Sequence, residues 1–220
     1  MTPSSAALRL VVCGTDTDVG KTVVSALLVQ GLNATYWKPV QSGLEGGGDR
    51  GRVRDLLQLT NDRLLPETYA FQQPVSPHWA AELDEVTLDP GALMLPAFPG
   101  PLVVETAGGL MVPLTRSWLQ IDQLRVWDRP VVLVARSGLG TLNHTLLSLE
   151  ALRKRRIPIL GLILNGPPHA DNPATLEQFG GVPVLGHLPP LQPLTAEALE
   201  HEWELQNLSD VIRTALEKLP

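Results

Sequence analysis

Leu8-Arg9-Leu10-Val11-Val12-Cys13-Gly14-Thr15-Asp16-Thr17-Asp18-Val19-Gly20-Lys21-Thr22 is the stretch that decides the fold. An apolar run of strand length feeds a loop bounded by glycines, and Lys21–Gln30 then has the make-up of a helix. A helix N-terminus presents unpaired N–H groups and partial positive charge, so this order builds a seat for a phosphate. Gly20 permits close backbone approach, Lys21 adds a full charge that can reach terminal phosphates, and Thr22 offers a hydroxyl to Mg²⁺. The usual phosphate-binding loop has four residues between its glycines, whereas Gly14 and Gly20 enclose five,. The Gly-Lys-Thr nevertheless lies in the strand-to-helix setting that the motif requires. Asp16 and Asp18 would repel a bound triphosphate unless a metal or an amine lay between, which hints at a cationic second substrate.

Outward from this loop, further runs repeat the apolar pattern at Leu102–Val104, Val131–Ala135 and Ile159–Leu164, with no polar alternation. Such runs read as strands covered on both faces, the habit of parallel sheets. Thr35–Val40 and Val182–Leu185 are weaker strand candidates. Gly31 or Asn33 is a natural stop for the helix after the loop. Thr141–Arg155 carries Leu142, Leu146, Leu149 and Leu152 on one stripe, and Thr195–Leu216 reads as one or two closing helices with Thr195 as a cap. Strands alternating with helices predict an α/β fold of a single domain over residues 1–220. Its form is a doubly wound, mostly parallel sheet with helices on both faces, a three-layer P-loop NTPase-like architecture.

Bulk properties narrow the setting. The 220 residues carry a formal net charge of −6, which argues against a nucleic-acid partner,. The basic run Arg153–Arg156 reads as a solvated helix end favoured by the macrodipole. Cys13 is the only cysteine, so no intrachain disulfide can form, as suits a reducing compartment. The first seven residues lack the make-up of a secretory signal, and no apolar run approaches the roughly 18–20 residues of a membrane helix. The expectation is a cytoplasmic protein without membrane or nucleic-acid partners.

Three more segments bear on chemistry. Tyr36-Trp37-Lys38-Pro39-Val40-Gln41-Ser42-Gly43 places a lysine at the expected end of the second strand. Val103-Val104-Glu105-Thr106-Ala107-Gly108-Gly109 places a carboxylate at the end of another, and Leu162-Ile163-Leu164-Asn165 an amide at the end of a third. Ligands of open α/β sheets bind outside the carboxyl ends of strands, where these groups can converge on the loop. For Asn165-Gly166-Pro167-Pro168, a plain strand-ending turn explains the composition equally well.

The sequence resembles the dethiobiotin synthetase family. The likeness rests on residues 14–22, Lys-Pro-Val-Gln-Ser-Gly at 38–43, Ser-Pro-His at 76–78, Glu-Thr-Ala-Gly-Gly at 105–109, Leu-Gly-Thr-Leu-Asn-His at 139–144, and Asn165. It implies an ATP-dependent ligase that carboxylates 7,8-diaminopelargonate with CO₂. The resulting carbamate takes the γ-phosphoryl group of ATP, and the neighbouring amine closes the ring of dethiobiotin. It further implies Lys21, Lys38 and Thr17 as catalytic groups, and Asp18, Val19, Gly20, Lys21, Thr22 and Val23 around the nucleotide phosphates. Asn165, Leu188 and Pro189 would meet the base, and Ser42 with Thr17 and Lys38 would meet the second substrate. Mg²⁺ would be held by Thr22, Asp49 and Glu105, all hard oxygen donors. Thr141, Leu142 and Asn143 would receive the substrate's far carboxylate across a homodimer interface.

Asp55 is the alternative metal ligand to Asp49. It falls in the predicted helix Arg50–Leu59, where a solvated face is the plainer reading. Thr106 departs from the glycine that many family members have after the glutamate. His78, His144, Trp37 and Trp79 read as packing or hydrogen-bonding residues, and Cys13 as buried. Rival readings are a partitioning ATPase, a cobyrinate amide ligase, and a non-catalytic nucleotide switch that recruits a protein. The first loses ground because Thr-Asp-Thr-Asp stands where an extra lysine belongs. The second needs a glutamine-hydrolysing domain for which 220 residues leave no room.

Overall fold

A computed structural model describes residues 8–219; the first seven residues, read above as lacking a signal segment, lie outside the described part. Six strands form the main sheet in the order β2 (Thr35–Trp37), β5 (Leu102–Gly109), β1 (Arg9–Gly14), β6 (Val131–Arg136), β7 (Ile159–Asn165) and β8 (Val184–Leu188). Every pairing among them is parallel. Alternation along each strand feeds two cores, as a period of two demands. Leu10, Val12, Val132 and Val134 face one side; Val11, Cys13, Val131 and Leu133 face the other.

Helices α1 (Lys21–Gly31), α2 (Gly48–Leu57), α7 (Ala196–Leu205) and α8 (Leu208–Glu217) contribute to the first core. Helices α4 (Gln120–Trp127), α5 (Thr141–Lys154) and α6 (Asn172–Gly180) cover the second. The expected doubly wound arrangement with helices on both faces is present. Thr195 caps α7, its hydroxyl accepting from the Ala198 N–H. The basic run is used structurally. Arg153 donates to the Gly180 carbonyl and Arg155 lies 3.7 Å from Asp122. Among the described residues no helix is long and apolar enough to cross a membrane.

The expected strand Thr35–Val40 is corrected. It breaks at Lys38-Pro39, because proline brings no N–H to a ladder. The chain then leaves the sheet, and β3 (Val40–Ser42) pairs in parallel with β4 (Tyr69–Phe71) in a second, two-stranded sheet. Helix α3 (Pro77–Leu83) packs there, around Val40, Phe71, Ala80 and Leu114. The last strand begins after Pro183, two residues later than expected, and α2 starts two residues earlier than its predicted Arg50. Helices α3, α4 and α6 were not expected. They are seven to nine residues long and none has a side-chain N-cap from Ser or Thr. Proline heads α3 and α6, and at α4 the Asp122 carboxylate accepts from the Leu119 N–H.

Candidate active site

The glycine loop stands at the carboxyl end of β1, between β5 and β6, where the strand order reverses,. Its conformation is pinned from several strands. The Thr15 N–H donates to the Val134 carbonyl at 3.0 Å, and the Asn165 carboxamide donates to the Val19 carbonyl at 3.1 Å. Arg136 donates to the Thr17 carbonyl at 3.3 Å and lies 3.7 Å from the Asp16 carboxylate. Gly20 has φ 94°, and a Cβ there would collide with the Asn165 carboxamide, so this position demands glycine,. No side chain caps α1, which leaves its first N–H groups free for an anion,. The Lys21 ammonium donates to the Asp16 carbonyl at 2.8 Å. Burial lowers the Lys21 pKa; Glu105 opposes that shift and Lys38 adds to it.

Beside the loop lies a cluster of buried charge. Glu105, wholly enclosed near the middle of β5, uses its two oxygens differently. Oε1 accepts from the Thr22 hydroxyl at 2.9 Å and from the Lys38 ammonium at 3.0 Å, while Oε2 accepts from the Tyr36 hydroxyl at 2.9 Å. The Lys38 ammonium also donates to Asp49 Oδ2. Asp49 sits in the first turn of α2, and its N–H donates to Gln41 Oε1 at 3.1 Å. Burial pulls the Lys38 pKa down, but Glu105 and Asp49 outweigh it and hold the ammonium above its ordinary value. For Asp49, burial pushes upward and the Lys38 charge outweighs it, keeping the carboxyl below its ordinary range. Burial first, then the Glu105 and Asp49 charges, raises Tyr36 well above the usual phenol value.

Asp49 and Glu105 thus meet around one cation, the Lys38 ammonium, and the Thr22 hydroxyl joins them through Glu105. Two carboxylates that already neutralise a positive charge, with a hydroxyl beside them, form a hard-oxygen donor set suited to Mg²⁺ beside phosphate. Asp55 takes no part. Its carboxylate is about two-thirds exposed and pairs with Arg54 at 2.8 Å.

Loop and cluster line one open cleft of about 660 Å³. Thr17, Asp18, Gly20, Lys21, Thr22, Val23, Lys38, Ser42, Asp49 and Glu105 all border it. The opposite wall, Gly43 and Pro74–Pro77, comes from the two-stranded sheet and the start of α3. Val19 is buried in the first core, so only its backbone is offered to the loop. Asn165 reaches the loop, but the Leu188 side chain is buried in that same core; of the residues expected to meet the base, Pro189 keeps some exposure. Thr141, Leu142 and Asn143 form the start of α5, outside this cleft. Thr106 lies within β5 without a left-handed backbone; it is fully buried and its hydroxyl has no partner.

Sequence reasoning passed over Tyr36, Gln41 and Arg136. For Tyr36 a signal existed, since residues i and i+2 of a strand share a face and Tyr36 stands two before Lys38. Nothing in the sequence pairs Arg136 with a loop 120 positions earlier.

A strand, glycine loop and helix on a parallel sheet, with lysine and hydroxyl at the helix start, define a P-loop nucleoside-triphosphate-binding protein. The solved structures agree on the fold. MinD of Pyrococcus horikoshii complexed with Mg-ADP matches with a TM-score of 0.54 at 15 % identity, over 96 % of this chain and 95 % of that one. A ParA family ATPase from Chlorobium tepidum matches with a TM-score of 0.51 at 13 % identity, over 97 % and 99 %. A family profile described as an AAA domain covers residues 8–198.

Closer kinship lies elsewhere. The ATP-dependent dethiobiotin synthetase BioD of Rhodopseudomonas palustris is 54 % identical over 191 residues, 87 % of this chain and 90 % of that protein. Those of Afipia carboxidovorans and Agrobacterium fabrum are 51 % and 48 % identical, over 92 % and 93 % of this chain and 97 % of each relative. The chain belongs to the ATP-dependent dethiobiotin synthetase family.

Proposed function

We propose that this chain is an ATP-dependent ligase that makes dethiobiotin from 7,8-diaminopelargonate and CO₂ in one cleft. An amine of the diamine captures CO₂ as a carbamate. A carbamate oxygen takes the γ-phosphoryl group of ATP and ADP leaves, giving a carbamic–phosphoric anhydride. The neighbouring amine attacks its carbonyl, phosphate departs and the cyclic urea closes. Phosphoryl transfer asks for positioning and charge neutralisation more than for a covalent protein nucleophile.

The residues divide accordingly. Backbone N–H groups from Asp18 to Val23 hold the phosphates. Lys21 and Lys38 flank the path of the transferred group and neutralise charge as it moves from ATP to carbamate. Thr17 and Ser42 hydrogen-bond the carbamate. The Ser42 hydroxyl is buried at the cleft without a partner, which makes it available to a ligand. Thr22, Asp49 and Glu105 hold Mg²⁺, which when bound neutralises and orients the triphosphate. Asn165, with backbone at Leu188 and with Pro189, meets the base.

The assembly we propose is a homodimer of single α/β domains. The start of α5, at Thr141, Leu142 and Asn143, receives the far carboxylate of the partner's substrate. Leu139, Leu147 and Met111, all exposed on or near α5, supply apolar surface for such a contact,. The net charge of −6 and the absence of a membrane-length helix among the described residues support a cytoplasmic enzyme without nucleic-acid or membrane partners.

One observation carries this reading. A second lysine, Lys38, is held by Asp49 and Glu105 in the same cleft as Lys21, and a nucleotide switch needs no such group. The test is phosphate release from ATP, Mg²⁺ and bicarbonate, with and without 7,8-diaminopelargonate. Diamine-dependent release with a cyclic urea identified by mass spectrometry is the expected result. Release indifferent to the diamine would restore the switch.

A further inference from the structure

We infer that Tyr36 is a positioning residue for the metal-binding carboxylate. By occupying one oxygen of Glu105, it restricts that residue to a single coordinating oxygen and so favours Mg²⁺ over larger divalent cations. The inference rests on the assignment of Glu105 as a Mg²⁺ ligand.

The geometry is specific. Tyr36 is fully buried in β2, and its strand is the immediate neighbour of β5, paired Thr35 with Leu102 and Trp37 with Val104. The hydroxyl reaches Glu105 Oε2 at 2.9 Å, while Oε1, on the cleft side of the same carboxylate, meets Thr22 and Lys38. A phenol hydroxyl facing a carboxylate can only donate, so Oε2 is engaged and the carboxylate plane is fixed. Tyr36 belongs to the main core cluster, and its neighbour Trp37 is anchored by a hydrogen bond to the Pro66 carbonyl. Such partners orient the ligands they touch, and their loss typically costs about 10–100-fold in metal affinity.

The consequence for selectivity follows from ion size. Mg²⁺ demands a small, near-octahedral shell, whereas Ca²⁺ tolerates bidentate carboxylates and irregular shells. With Oε2 held by Tyr36, Glu105 offers one oxygen. Without the phenol hydroxyl, Oε2 loses its partner, the carboxylate can turn, and both oxygens become available.

The experiment compares the wild-type protein, Tyr36→Phe and Glu105→Gln, each with ADP bound. Mg²⁺ and Ca²⁺ are titrated separately by calorimetry, and folding is checked by circular dichroism. Tyr36→Phe should weaken Mg²⁺ about tenfold and Ca²⁺ by less than threefold, shifting the ratio towards Ca²⁺. Equal weakening of both ions, or no change in either, overturns the positioning role. Glu105→Gln separates the two readings. If it leaves Mg²⁺ affinity intact, the ligand assignment itself fails. If it weakens Mg²⁺ while Tyr36→Phe does not, only the inference about Tyr36 fails. Should Tyr36→Phe melt early, the titrations are run below the onset of its unfolding, and an unshifted ion ratio there also counts against the role.

Discussion

Replacing Lys38 by methionine removes the ammonium between Asp49 and Glu105 while keeping most of the side-chain volume. The side chains of all three residues are largely enclosed, at 6 %, 15 % and 0 % exposure respectively. Breaking such a pair from one side leaves buried charge uncompensated and costs about 3–5 kcal/mol. The slight exposure of Asp49 argues for the lower end. A protein of this size loses about 2–4 °C of Tm for each kcal/mol, so Lys38→Met should melt about 6–12 °C below wild type in EDTA. Mg²⁺ should then reverse much of the loss, since the variant presents both carboxylates with no resident cation to displace. The assay is thermal unfolding by fluorescence, with EDTA and with Mg²⁺. The double variant Lys38→Met/Asp49→Asn, which removes one of the orphaned charges, should recover part of the loss without metal. A drop below about 3 °C in EDTA, or an equal Mg²⁺ shift in wild type and variant, would refute the reasoning.

Asp49→Asn should raise the Mg²⁺ concentration for half-maximal turnover at least about tenfold, whereas Asp55→Asn, at the surface beside Arg54, should change it less than twofold; the opposite ranking moves the ligand to Asp55,. Burial pushes the Cys13 thiol up to about 12 from an ordinary 9.0. At pH 8 its thiolate fraction is then on the order of one in ten thousand, and iodoacetamide should label the protein only after unfolding; labelling at the rate of an exposed thiol contradicts this. The same shift has a sign for stability. The unfolded thiol ionises first, so the Cys13 contribution is intact below pH 9 and is lost as pH rises towards 12, which urea titrations across that range can follow.

The strands that could be read from sequence are those whose side chains are nearly all buried. Val131–Ala135 has no polar residue because both faces are covered, and the sequence reports that directly. The loop was legible because its chemistry is local, with strand, glycines, lysine and hydroxyl lying within fifteen consecutive residues. What escaped was set at a distance. The three-residue strands β3 and β4 pair across 29 positions and have no room to show a period. Helix α6 starts at Asn172, and the side chain of Asp171 before it makes no cap, so the usual start signal is missing. Lys38 was singled out by motif, but its ion pairs depend on where α2 begins, and two glycines with positive φ, Gly47 and Gly48, set that point. Leu188 was expected beside the base because the family resemblance implied it. The pleat decides its direction, and it turns that side chain inward.

The break at Lys38-Pro39 divides the cleft between two separately hydrogen-bonded sheets. Loop, carboxylate and lysine stand on the six-stranded sheet, while Ser42, Gly43 and the Pro74–Pro77 wall stand on or beside the two-stranded one. Under the proposed roles the phosphates are seated on the larger sheet and the acceptor's contacts are shared between both, and the chain passes between the two sheets more than once, first at Lys38-Pro39 and again before β5. Changing Ser42, Gly43 and the Pro74–Pro77 wall, with Asp49 on α2 kept, would alter the acceptor's side of the cleft while leaving the phosphate seat intact.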